Sequence, residues 1–112
     1  MEDTTVKQAL IDAKVLIGTP EKWTKHYAAR DHNYLPVREH DATAVCFCTI
    51  GALSKVCGGT HEVLFRIARN KLQIACKGAI TTFNDSSVTT HEDVMDVFDK
   101  AIARCDLQDA TV

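Results

Sequence analysis

Apolar positions in the first seventeen residues recur three and four apart, at Val6, Ala9, Leu10, Ala13, Leu16 and Ile17, the spacing of one buried helix face. Thr5 and Gln8 have the form of a capping box before it, and Gly18 offers a left-handed stop after it. Thr19-Pro20 predicts a second, short helix, because proline fits the first helical position, with Trp23 and Tyr27 four residues apart on one face. From Arg30 to His40 the period disappears and Asp31, His32, Asn33 and Pro36 punctuate the chain, so an irregular loop is expected. Loops of that length often carry function.

Ala42 to Val56 is apolar almost all round, with Val45, Cys46, Phe47, Cys48, Ile50, Ala52, Leu53 and Val56. It is expected to be a buried central helix capped by Asp41. Gly51 in its middle costs about 1 kcal/mol of helix propensity relative to alanine, so it is expected where another backbone approaches closely. Cys57-Gly58-Gly59 ends this segment, and Thr60 can cap the next helix, His61 to about Lys77, with Leu64, Ile67, Ala68, Leu72 and Ala75 on one face. A strand over Leu72, Ile74 and Cys76 is the rival for its second half. Ala79 to Phe83 is rich in β-branched residues and is expected to run extended as a strap across the helices. Thr90-His91-Glu92-Asp93 is a cap signal, and Val94, Val97, Phe98, Ala101, Ile102 and Cys105 continue as an amphipathic last helix, expected to pack on the central one. The fold class is therefore mainly α, a compact bundle of four or five short helices with one short extended segment. Residues 1–106 form a single globular domain in this scheme, and residues 107–112 a frayed tail.

A chain of 112 residues with 46% hydrophobic and 25% charged side chains can bury one core and is not of disordered composition. Thirteen basic against fifteen acidic residues leave a net charge of −2, which argues against bulk nucleic-acid binding. Neither a secretory leader nor a membrane span is legible, so a cytoplasmic setting is expected. Five cysteines are an odd number without framework spacing, and buried free thiols are the expectation.

Candidate chemistry is sparse. Cys46-x-Cys48 does not suggest zinc, because residues two apart on a helix point about 200° apart, and neither a metal nor a cofactor is expected. Cys48 with His91 or with His32 would make a nucleophile pair only if the fold brought them together. Asn84-Asp85 supplies an amide beside a carboxylate in a polar stretch, with an Asx-turn as the structural explanation. Lys22, Lys25, Arg30 and Arg38 lie near Trp23, Tyr27 and Tyr34, a mixture of cations and aromatics that suits a phosphate-bearing ligand or an acidic partner. The candidate ligand- or partner-binding residues are Trp23, Tyr27, Arg30, His32, Tyr34, Asn84 and Asp85.

Trp23 with Tyr27-Ala28-Ala29-Arg30-Asp31, then Cys48-x-x-Gly51-Ala52-Leu53, then Phe83-Asn84-Asp85 and a Thr90 cap, together resemble a small bacterial and phage family known as domain of unknown function 6197. The pairing of Cys48-x-x-Gly51-Ala52-Leu53 with Phe83-Asn84-Asp85 is what makes the resemblance specific. Relatives often carry Trp-x-x-Gly where this chain has His26, and proline and glycine where it has Ser87 and Val88. The resemblance implies a cytosolic setting in a bacterial cell or a phage-infected host, and assigns no catalytic residue.

Small size and the lack of a catalytic constellation favour a non-enzymatic binding module acting by protein contact, of the type of a phage accessory protein or an inhibitor of host defence such as an anti-CRISPR. A site for a nucleotide-like or phosphorylated small molecule is the alternative. A small enzyme depending on a cysteine or a carboxylate is the second alternative, with the balance of the sequence against it. The partner protein and the oligomeric state are not legible.

Overall fold

Leu10, Ala13 and Ile17 are sealed from solvent, as are Leu53, Ala68, Leu72, Val94, Phe98 and Ala101, so the periodic stripes of the sequence meet in one core. The computed structural model describes the backbone of residues 2–111 and the side chains of residues 5–106. Its helices are α1 (Glu2–Leu16), α2 (Thr49–Cys57), α3 (Val63–Cys76), α4 (Ile80–Asp85) and α5 (His91–Thr111). α1 packs on α2, α3 and α5, α3 packs on α5, and α4 closes over α2 and α3. The last helix therefore lies mainly on α1 and α3, rather than on the central segment as the sequence suggested.

The chain is mainly α, but it holds more than one extended segment. Two-residue strands β1 (Ala29–Arg30), β2 (Pro36–Val37) and β3 (Cys46–Phe47) form an antiparallel sheet in the order β2-β1-β3. Ala29 lies opposite both Val37 and Phe47, and Arg30 opposite both Pro36 and Cys46. The expected loop over 30–40 is thus a hairpin, turned by Asp31, whose carboxylate accepts from the Asn33 and Leu35 amides at 2.9 and 3.0 Å.

Further expectations are corrected. Pro20 starts only a 3₁₀ turn, Pro20–Lys22, because the chain after Trp23 is drawn out along β3, with the Thr24 N–H on the Phe47 carbonyl at 3.0 Å. The central helix begins at Thr49, not Ala42. Asp41 makes its own turn by accepting from the Thr43 amide and hydroxyl, and Cys46 and Cys48 sit on β3 and at the α2 cap. The strap at 79–83 is helical, since Ile80 and Asn84 are four apart and both buried, which gives α4 an inner face despite its β-branched residues. At the first helix, Thr5 lies inside α1 and Gln8 donates to Asp12, so the capping box there is not used. Gly18 follows the helix without a left-handed φ, and the N-cap position of α3 is Glu62 rather than Thr60, with no capping bond from its side chain.

Other local signals hold. Gly58 is left-handed at φ 88° and closes α2. Thr90 accepts from the Asp93 amide at 3.1 Å while Asp93 accepts from the Thr90 amide at 3.0 Å, a reciprocal cap. At Gly51 a Cβ would lie 2.0 Å from the Ala28 carbonyl oxygen. That is the close backbone approach expected from the sequence, and it seats α2 on the segment leading into β1. The tail expected over 107–112 falls outside the described side chains.

Candidate functional site

Asn84 is 1% exposed and ties three distant segments together. Its carbonyl oxygen accepts from Trp23 Nε1 at 2.7 Å, the Thr49 amide at 2.9 Å and Thr49 Oγ1 at 2.7 Å. Its amide donates to the Thr24 carbonyl at 3.1 Å and to Asp85 Oδ1 at 2.9 Å. A buried amide with every group engaged is a structural joint. Apart from its bond to Asp85, Asn84 therefore spends its bonds neither on its own turn nor on an open cleft, but on joining α4 to the start of α2 and to the 23–24 segment. Trp23 belongs to the same joint. Its ring also faces His91 at 6.0 Å between centroids, and His91 Nε2 lies 2.7 Å from the Ile17 carbonyl. A carbonyl only accepts, so Nε2 carries the proton.

Arg30 organises the outer face. Its guanidinium carbon lies 4.7 Å from the Tyr27 ring centroid and 4.1 Å from that of Tyr34, a cation held by two aromatic rings. Its nitrogens donate to Thr24 Oγ1 at 2.8 Å, the Tyr34 carbonyl at 3.0 Å and the Lys25 carbonyl at 3.3 Å. The rings stay open, with Tyr27 49% and Tyr34 63% exposed, and Leu35 beside them at 58%. Val45, also exposed, is tied to this face by its amide on the Arg30 carbonyl at 2.9 Å. Lys25 stands over Trp23 at 5.4 Å and donates to the Ser86 carbonyl. His32 is exposed in the β1–β2 turn and makes no hydrogen bond to the other candidates among the described residues.

Between these two regions lies a cleft of about 190 Å³, lined by His26, Tyr27, Cys48, Ile50, Thr81 and Asp85 among others. The Asp85 Oδ1 accepts from the His26 amide at 2.8 Å, and its Oδ2 is 4.0 Å from His26 Nδ1. His26 has φ 76°, a left-handed conformation that suits glycine and explains why the resemblance places glycine there. Cys48 caps α2, its sulfur accepting from the Gly51 amide at 3.2 Å. Burial, the largest influence, pushes the Cys48 thiol above its ordinary range, helped by the charges of Asp85 and Glu39 and opposed by the Gly51 and Ile50 amides. Neither His91 nor His32 shares the cleft with Cys48; His26 does. Sequence reasoning missed this grouping, and the only signal was a histidine at a position where glycine fits better.

A second polar group, Ser54 with Glu39 and His40, has the residue types of a hydrolase triad. Ser54 Oγ lies 2.6 Å from Glu39 Oε2 and 3.4 Å from His40 Nε2. Its one proton goes to the carboxylate, which leaves His40 to donate. Ser54 is fully buried, so this group clips the end of the hairpin to α2 rather than meeting a substrate. Among the described residues, no group of three His, Cys, Asp or Glu side chains could hold a metal ion, and no helix is long and apolar enough to cross a membrane.

Fold and site define a mainly helical domain with a small sheet that presents an aromatic face and a cleft. The family model described as Family of unknown function (DUF6197) matches residues 1–104, and the chain belongs to that family. No curated protein and no solved structure matches it.

Proposed function

We propose that the protein binds a partner by non-enzymatic protein contact through the face built on Tyr27, Arg30 and Tyr34. The observation that carries this is the stack itself. A cation anchored through all three of its nitrogens holds two tyrosines in fixed, solvent-facing positions, with Leu35 and Val45 at their side. Tyrosine and arginine are enriched among the residues that dominate interface energetics, and rigid rings lose little entropy on binding. Tyr34 holds this position at φ 65°, a left-handed backbone costing about 1 kcal/mol for a residue with a Cβ, so glycine would fit the turn better. A role in a bacterial cell or a phage-infected host, as an accessory protein or an inhibitor of a host defence complex, accords with this reading and with the resemblance in sequence.

The test is capture from bacterial lysate with the wild type and with the double variant Arg30→Ser, Tyr34→Ser. A stoichiometric partner held by the wild type and released by a folded double variant is the expected result. No stoichiometric partner, or one that the variant retains, overturns the proposal.

A small-molecule ligand is the second reading, favoured by the cleft beside Cys48. Its charge is wrong for the nucleotide-like or phosphorylated ligand suggested by composition, because Asp85 lines it while Lys25 and Arg30 donate to backbone carbonyls. A neutral ligand fits better.

A further inference from the structure

The geometry points to a small acyl-transfer site in the cleft, with Cys48 as nucleophile, His26 as its base and Asp85 as the residue that positions His26. This goes beyond the contact face, and either can fail without the other. The three side chains line one cavity of about 190 Å³, and each has a distinct chemical part. Cys48 is 9% exposed and sits at the start of α2. The Gly51 amide reaches its sulfur, at the positive end of the α2 dipole, which favours negative charge developing next to Sγ. Burial keeps the thiol protonated at rest, and such a nucleophile needs a base in the same cavity. His26 is the histidine that lines it. Its backbone is pinned by Asp85 at 2.8 Å, its Nδ1 faces the Asp85 carboxylate, and Nε2 has no hydrogen bond among the described residues.

The cavity size admits a short acyl group, and the Asp85 charge disfavours an anionic one, so the substrate class is a short neutral ester or thioester. His26 takes the Sγ proton as the S–C bond forms. The bond from the carbonyl carbon to the leaving oxygen or sulfur then breaks, and His26 returns the proton to that leaving group. Water cleaves the resulting thioester by the same path, releasing a carboxylic acid and restoring the thiol. No oxidant or reductant is involved.

The test is p-nitrophenyl acetate with the whole chain, reading nitrophenolate release and the acetylated peptide by mass spectrometry. We expect a burst stoichiometric with protein and an acetyl group on Cys48 in preference to the other four cysteines, lost in Cys48→Ala. His26→Gly should slow acetylation about a hundredfold, with partial rescue by added imidazole. That variant relieves the left-handed strain, so its thermal midpoint should equal or exceed that of the wild type, and misfolding cannot account for the loss. Asp85→Asn should slow the wild type and add nothing in the His26→Gly background. Acetylation of Cys48 no faster than of buried Cys46 and Cys105, or an unchanged rate in His26→Gly, overturns the proposal. A further loss from Asp85→Asn in that background removes Asp85 from it.

Discussion

Asn84 and Arg30 each gather several hydrogen bonds, yet one is sealed at 1% exposure and the other lies between two open rings. Inside, saturating a polar group leaves nothing for a ligand, and the residue becomes a joint. Near the surface, anchoring the guanidinium through its three nitrogens has the opposite result, because the rings and apolar side chains that it fixes are still available. The teaching is that a count of hydrogen bonds does not separate structural from binding residues. What surrounds the satisfied group does.

The sharpest way to break this contrast is Asn84→Ala. It strands the Trp23 N–H, the Thr49 amide and the Thr24 carbonyl, at about 1–3 kcal/mol for each group left unpaired, and a loss of about 3–5 kcal/mol is expected in chemical denaturation. A loss under about 1 kcal/mol would mean that water replaces the joint. Next comes Gly51→Ala. A Cβ 2.0 Å from the Ala28 oxygen forces α2 off the β1 approach, for a cost of about 2–3 kcal/mol by the same measurement.

A smaller effect is expected at the clip between hairpin and helix. Burial alone would raise the Glu39 carboxyl, but the Ser54 hydroxyl, its own backbone and the charges of His40 and Arg38 together hold it below its ordinary 4.5. A depressed carboxyl stabilises the fold above its unfolded value and loses that contribution as pH falls through its folded value. The advantage of wild type over Glu39→Gln should therefore be complete near neutrality and shrink below pH 4.5, in denaturation midpoints taken across acid pH. An advantage that grows toward low pH would contradict the assignment. The smallest effect belongs to the outer face, where Tyr34→Ser should change stability by no more than about 0.5 kcal/mol while removing a contact surface.

Much of the helical frame was legible because its signals are local. The stripes of α1, α3 and α5, the Thr90 cap, the Gly58 stop and the tight packing at Gly51 all follow from spacing and backbone chemistry. The sheet was not legible, since two-residue strands are too short for an alternating pattern to register, and their pairing with each other and with residue 24 is non-local. α4 was misread because its intrinsic preference is extended, and only burial of Ile80 and Asn84 overrides it. The same limit applied to the site. Trp23, Tyr27, Arg30, Tyr34, Asn84 and Asp85 were singled out by type, but which of them act as joints depends on contacts across 61 and 35 residues of chain. For the same reason the sequence does not show that His26, and neither His91 nor His32, lines the cleft with Cys48.

Because the Asn84 amide joins residues 23, 24 and 49 to α4, the segments that flank the three tiny strands are held by a helix that is synthesised long after them. The 23–48 segment should then remain unprotected in hydrogen exchange until α4 docks, and in the native state the Thr49 amide should exchange only when the whole domain opens. One side chain would thus make folding of the two halves a single cooperative event.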